Sequence, residues 1–238
     1  MSAQTAGGGP VIELDDAGYS YDATRGGPLL AGLTLDLQPG SFHFLTGPSG
    51  AGKTTLLRLC YGDLRPTSGR LSLFGTALSE MDRDGIALAR RRIGVVHQDC
   101  RFLDHLSVIE NVALPLRVSG HSASEQSENI AELLAWVGLS DRARALPPEL
   151  SGGERQRAAL ARALILSPDV ILADEPTGNV DWEMSQRLLH LLVALNGMGK
   201  AVMIATHDLM LIRAAKTQVQ ARVLRIAGGT LQAAGAEL

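Results

Sequence analysis

The segment Gly47-Pro-Ser-Gly-Ala-Gly-Lys-Thr54 constrains this chain more than any other. It follows a short apolar run, Phe42 to Leu45, and opens a helical pattern from Lys53 to Tyr61 that stops at Gly62. The spacing G-x-x-x-x-G-K-[ST] is the Walker A pattern of a phosphate-binding loop. Glycines let the backbone curl around phosphate oxygens, and the helix N-terminus aims free N–H groups and a positive dipole at them. Lys53 supplies a point charge for β- and γ-phosphates, and the Thr54 hydroxyl is placed to ligate Mg²⁺. Gly47, Pro48, Ser49, Gly50, Ala51, Gly52 and Thr55 complete the expected cradle. A glycine-rich turn alone would explain the loop as ordinary structure; the strand-loop-helix setting argues for phosphate.

Three further apolar runs read as strands: Ile93 to Val96, Val170 to Ala173 and Val202 to Ala205. Phe42 to Leu45, Val170 to Ala173 and Val202 to Ala205 lead directly into polar or glycine-rich segments, as functional loops do at the carboxyl ends of strands in an open α/β sheet. At 238 residues and 45% hydrophobic content, there is room for one large α/β domain with a small inserted subdomain. Only 4% of residues are aromatic, so the core is aliphatic. Ile12 to Leu14, Leu33 to Leu37 and Ser68 to Phe74 read as antiparallel strands near the front. Val223 to Leu231 reads as a hairpin turning at Gly228-Gly229. Residues 1–10, with Ala6-Gly7-Gly8-Gly9-Pro10, read as a flexible tail ahead of a domain spanning 11–238.

Between about Gln98 and Leu150 the composition turns helical. Ser107-Val-Ile-Glu110 is a capping box, followed by a helical pattern until Pro115. A second helix is predicted over Glu125 to Val137, with Ile130, Leu133, Leu134 and Val137 on one face. Residues 98–155 therefore read as a helical subdomain inserted in the α/β core.

Val170-Ile-Leu-Ala-Asp174-Glu175 ends an apolar strand in two acids. Adjacent like charges repel, and a nearby divalent cation removes the conflict. Asp174 then serves Mg²⁺ through a water, while Glu175 polarises an attacking water as general base. Acids that merely cap the next element are the structural alternative. Ala205-Thr206-His207-Asp208 closes another apolar strand, and position alone gives His207 no more than a structural role.

Composition narrows the partners. The net charge of −3 provides no basic field for nucleic acid. Cys60 and Cys100 lie far apart and read as free thiols of a reducing compartment. No run approaches the ~20 apolar residues that span a bilayer, and no secretory signal is evident. Any membrane role comes through a partner.

Leu150-Ser151-Gly152-Gly153-Glu154 gives the pattern a family. LSGG[EQ], a helix and then the acidic strand end resemble the ABC ATPase family over almost the whole chain, from about Ile12 to the C-terminal hairpin. The order of motifs is also the family's: Walker A, Gln98, LSGGE, Asp174-Glu175, Asp181, His207. Ser151 and Glu154 also form a capping box on a helix predicted to run through Leu166 and to end before Pro168. The resemblance implies a P-loop NTPase (RecA-like) α/β core with an N-terminal antiparallel β subdomain and the helical insertion. It implies ATP hydrolysis to ADP and phosphate with Mg²⁺, in a head-to-tail homodimer that encloses two ATP molecules. Ser151, Gly152, Gly153 and Glu154 would meet the γ-phosphate bound by the other copy. By the same resemblance Tyr21 stacks on adenine, Gln98 senses Mg²⁺ and connects to a membrane partner, Asp181 lies in the loop after the acids, and His207 joins Lys53 and Glu175 in catalysis. Val180 stands where the family often has leucine, and His97 where it has phenylalanine.

Phe44 to Lys53, Gln98-Asp-Cys-Arg101, Glu110 to Leu116 and Asp174-Glu-Pro-Thr-Gly-Asn179 resemble the bacterial cell-division branch of the family. That branch implies an integral membrane partner with an extracytoplasmic region, placement on the cytoplasmic face of the inner membrane, and control of cell-wall hydrolysis. A lipoprotein-release or export ATPase is the alternative. DNA-repair ATPases of related fold place long coiled coils between the nucleotide motifs, and no heptads occur here.

Overall fold

The computed structural model describes residues 9–22, 27–121, 126–178 and 180–234. Most of the expected tail, Glu125 at the start of one expected helix, and Asn179 lie outside the described residues. Two sheets organise the rest, and the larger carries the phosphate loop.

The large sheet has the order β10-β9-β3-β8-β7-β6. Its strands are β3 (Phe42–Thr46), β6 (Ile93–Val96), β7 (Val170–Asp174), β8 (Ala201–Ala205), β9 (Ala221–Ala227) and β10 (Thr230–Ala233). β3 pairs in parallel with both β8 and β9, and β7 pairs in parallel with β6 and β8. Every residue of β3, β7 and β8 is buried. That explains why β7 and β8 read as apolar runs with no polar alternation, while β3 also buries His43 and Thr46. Only β10 is antiparallel; Gly228 and Gly229, with φ of 56° and 78°, make the turn to it. The glycine hairpin is therefore present, and its first strand also enters the parallel core beside β3, which local pattern had not indicated.

The smaller sheet is antiparallel, in the order β2-β1-β4-β5. It contains β1 (Ile12–Tyr19), β2 (Leu30–Leu37), β4 (Ser68–Leu73) and β5 (Thr76–Ala77). β1 runs well past Leu14, with register shifts between Leu14 and Tyr19. Between the two sheets lies α1 (Lys53–Cys60), whose Leu56, Leu57, Leu59 and Cys60 join both in one core. The opposite face of the parallel sheet packs on α5 (Gly152–Leu164), α6 (Trp182–Gly197) and α7 (Leu209–Lys216).

α2 (Arg83–Arg91) precedes β6, while α3 (Val108–Val118) and α4 (Ser127–Trp136) follow it. Val108, Val112, Leu116, Ile130 and Leu134 of α3 and α4 form a separate apolar cluster with Ala158 and Ala161 of α5. Two helix ends differ from expectation. α3 continues through Pro115, because a proline in the last turn removes one N–H while Ser119 N still closes the end on Pro115 O and Leu116 O. α5 stops at Leu164, and Ser167 N bonds back to Leu164 O with Ser167 at φ 50°.

Candidate active site

Parallel register sets Asp174 beside Ala205 and Leu45 beside Ala205, so the loops leaving β3, β7 and β8 share one edge. These loops carry residues 47–52, Glu175 onward and His207. They enclose a cavity of about 560 Å³. Gly47, Pro48, Ser49, Gly50, Gly52, Lys53, Thr54, Thr55, Gln98, Asp174, Glu175 and His207 line it, with Leu29 and Gly178, which sequence reasoning did not find. Ala51 is turned away and packs against the core.

The loop's shape depends on glycine at two points. Gly52, the N-cap of α1, has φ 103°, and a Cβ there would lie 2.8 Å from Leu30 Cδ2. A Cβ on Gly47 would lie 2.9 Å from Ile226 O. Lys53 Nζ donates to Gly47 O at 2.9 Å and to Pro48 O at 3.3 Å, which folds the cation over its own loop.

The two acids diverge. Asp174 points at α1 and accepts the Thr54 hydroxyl at 2.7 Å. Burial pushes its carboxyl above the usual carboxylate range, and nearby Glu175 adds to this, while the Thr54 hydrogen bond and Lys53 oppose it. Glu175 points to the next strand, with Oε1 3.0 Å from His207 Nδ1. Its backbone is held at φ 45°, with its N–H on Ala205 O at 2.9 Å. A left-handed glutamate costs about 1 kcal/mol or more and persists because β8 fixes it.

Tyr21 stands at the rim, 61% exposed, with its ring edge-on to Tyr19 and its hydroxyl 3.1 Å from Thr55 Oγ1. Arg58 reaches that hydroxyl at 3.5 Å while it pairs with Asp63 at 2.7 Å. Arg58 lies one helical turn beyond Thr54, and that spacing is the signal that could have found it. His97 packs edge-on against Tyr61, filling an aromatic's place. Burial lowers its imidazole below the ordinary histidine range, and Arg101 and Arg162 lower it further.

Ser151, Gly152, Gly153, Glu154 and Asp181 do not line this cavity. Ser151 Oγ accepts Glu154 N at 3.2 Å, and Glu154 accepts Ser151 N at 2.8 Å and Arg142 at 2.9 Å. The Ser151 N–H is foremost in holding the Glu154 carboxyl low. Asp181 caps α6 through Met184 N at 2.8 Å. A Cβ on Gly153 would lie 2.9 Å from Met184 Cγ, so the signature segment and the Asp181 helix form one surface.

A family model described as ABC transporter matches residues 30–178, more than half of the chain. The chain belongs to the ABC transporter family, and it is an ATPase cassette of that kind. Its relatives include proteins named cell division ATP-binding protein FtsE. That of Streptococcus pneumoniae D39 is 38% identical over 88% of this chain and 90% of the relative. That of Haemophilus influenzae is 44% identical over 85% and 93%, and that of Escherichia coli K12 is 43% identical over 77% and 82%. Among solved structures, a dimeric ATP-binding cassette in a post-hydrolysis state with ADP and Pi superposes at TM-score 0.84. It is 31% identical and covers 93% of this chain and 98% of that one.

Proposed function

We propose that this chain is the ATP-binding and ATP-hydrolysing subunit of an FtsE-type complex, in which ATP-driven homodimerisation acts on an integral membrane partner resembling FtsX to control cell-wall hydrolysis in division. One observation carries the chemistry: the Thr54–Asp174 and Glu175–His207 contacts both border a single cavity that Lys53 also lines. The FtsE relatives support the biological setting. Among the described residues no helix is long and apolar enough to cross a membrane.

Gly47 to Thr55 bind the phosphates, Lys53 neutralises the β- and γ-phosphate oxygens, and Tyr21 stacks on adenine. Glu175 accepts a proton from the attacking water, with His207 orienting its carboxylate. Mg²⁺ fits the donors present: a hydroxyl, a buried carboxylate and the Gln98 amide are hard oxygen ligands. Among the described residues no cluster of three or more His, Cys, Asp or Glu could hold a metal alone. A cation held mostly by phosphate and water suits that set. When bound, Mg²⁺ neutralises charge developing on the phosphates. Ser151 to Gly153, with Glu154 capping their helix and Asp181 alongside, face the phosphate held by a second copy.

The test is Glu175→Gln, trapped with ATP in its native host. Hydrolysis falls by roughly 10²- to 10⁴-fold, ATP binding persists, and the dimer is stabilised. A small permease with a large extracytoplasmic domain co-purifies. Unimpaired turnover refutes the role of Glu175; recovery of a lipoprotein-release or export permease refutes the division setting and leaves the chemistry standing.

A further inference from the structure

The loop that leaves β6 toward α3 carries Gln98 and then two consecutive non-glycine residues in the left-handed region, Cys100 at φ 56° and Arg101 at φ 45°. Side chains other than glycine hold such angles only where the surroundings enforce them. Local bonds account for part of the turn: Cys100 N donates to His97 O at 3.0 Å and Arg101 N to Asp99 O at 2.7 Å. The carbonyls of the same two residues point the other way, to one side chain on α5. Arg162 Nη1 donates to Arg101 O at 2.7 Å, and Arg162 Nη2 donates to Cys100 O. The guanidinium also stands 4.7 Å from the centre of the Phe102 ring. One planar, always-charged group thus spans both strained carbonyls and the aromatic that follows them. Lysine, a point donor on a flexible stem, cannot reproduce that fork.

We propose that Arg162 is a positioning residue for the ATPase reaction, holding Gln98 at the phosphate cavity by clamping the Cys100–Arg101 backbone to α5. The inference rests on the function proposed above, because it gives Gln98 work to do there. Its structural meaning lies in α5. The helix begins at the Ser151-Gly152-Gly153-Glu154 surface and grips the Gln98 loop near its last turn, about 16 Å along the axis. The placement of Gln98 in a chain's own site is therefore tied to the seat of the surface that chain offers to a second copy.

The chain carries its own reporter. Its two cysteines are both buried, Cys60 fully and Cys100 at 4% exposure within the clamped turn. In the full-length protein, Arg162→Ala raises the reactivity of Cys100 toward Ellman's reagent by about tenfold or more, as local opening does, while Cys60 stays unreacted. The same variant lowers kcat for Mg²⁺-ATP by roughly ten- to a hundredfold with little change in KM, as misplacement of a catalytic-site group does. Arg162→Lys, which keeps the charge near Phe102, falls between the parent and Arg162→Ala in both measurements. General unfolding of Arg162→Ala would show as joint exposure of Cys60 and Cys100, and Arg162→Lys then decides. The clamp is refuted if Cys100 stays protected in a folded Arg162 variant. The positioning role is refuted if Cys100 opens while kcat holds, or if KM carries the whole loss. A parent chain that turned over no ATP would refute the proposed function, and thiol reactivity alone would then decide the clamp.

Discussion

His43 lies in β3, the strand that leads into the phosphate loop at Gly47, and it is 2% exposed. Its Nδ1 has no hydrogen-bond partner, and its strand neighbours are Met203 on β8 and Arg222 on β9. Burial, aided by the Arg222 charge, lowers the imidazole from 6.5 to about 4. The fold therefore holds the neutral ring, whereas the unfolded chain takes up a proton as soon as the pH drops below 6.5. This contribution to stability is complete above the unfolded value and is lost as pH falls through the folded one. The full difference corresponds to about 3 kcal/mol, and the part expressed between pH 7 and pH 5 is about 2 kcal/mol. His43→Leu removes both the titration and the orphaned nitrogen. Urea unfolding at pH 7, 6 and 5 should show the variant at least as stable as the parent at pH 7, and less acid-sensitive by about 2 kcal/mol over that interval. Equal pH dependence in parent and variant would refute the reasoning, as would a His43 ring that titrates near 6.5 in the folded protein by NMR.

Two other substitutions follow from the described geometry. Lys53→Ala should weaken binding of a fluorescent ATP analogue by about tenfold or more, since a charge-assisted phosphate contact contributes about 1.5–3 kcal/mol; undiminished affinity would count against the phosphate-loop assignment. Asn111 is fully buried on α3, accepts Leu103 N at 2.9 Å and donates to the carbonyls of Leu103, Leu106 and Ser107. Asn111→Leu should cost about 2–4 kcal/mol in thermal or urea unfolding by orphaning those groups, and a loss below 0.5 kcal/mol would contradict that network.

The parallel strands were legible because burial on both faces erases alternation. Val170 to Ala173 and Val202 to Ala205 could therefore be read as central from composition alone, whereas Phe42 to Leu45 carries His43 and was marked by the phosphate loop that follows it. The phosphate loop was legible because its residues are local and chemically constrained. α2 escaped notice: only Ala89 is buried on it, and its arginines leave a thin apolar stripe. The usable signal was Asp82, which caps the helix through Gly85 N at 2.7 Å. Pro115 was read as a stop because a proline bars the preceding turn more often than it sits in the last one. The Arg162 grip on Arg101 joins residues 61 apart, and the pairing of β9 with β3 is sealed by Thr46 Oγ1 on Leu224 O, 178 residues away. No local period reports contacts of that range.

That long-range pairing has a consequence for synthesis. β3 is made early, yet both of its hydrogen-bonded neighbours, β8 and β9, come from the last fifth of the chain. Until Ala201 to Ala227 emerge, the nascent chain presents an apolar central strand with two open edges. The partner of Thr54, Asp174, arrives 120 residues after it. Slow non-local closure leaves such edges exposed to aggregation. Both edges of β3 stay open until β8 and β9 have been made, and the nucleotide site gains its Thr54–Asp174 contact only after β7 has docked.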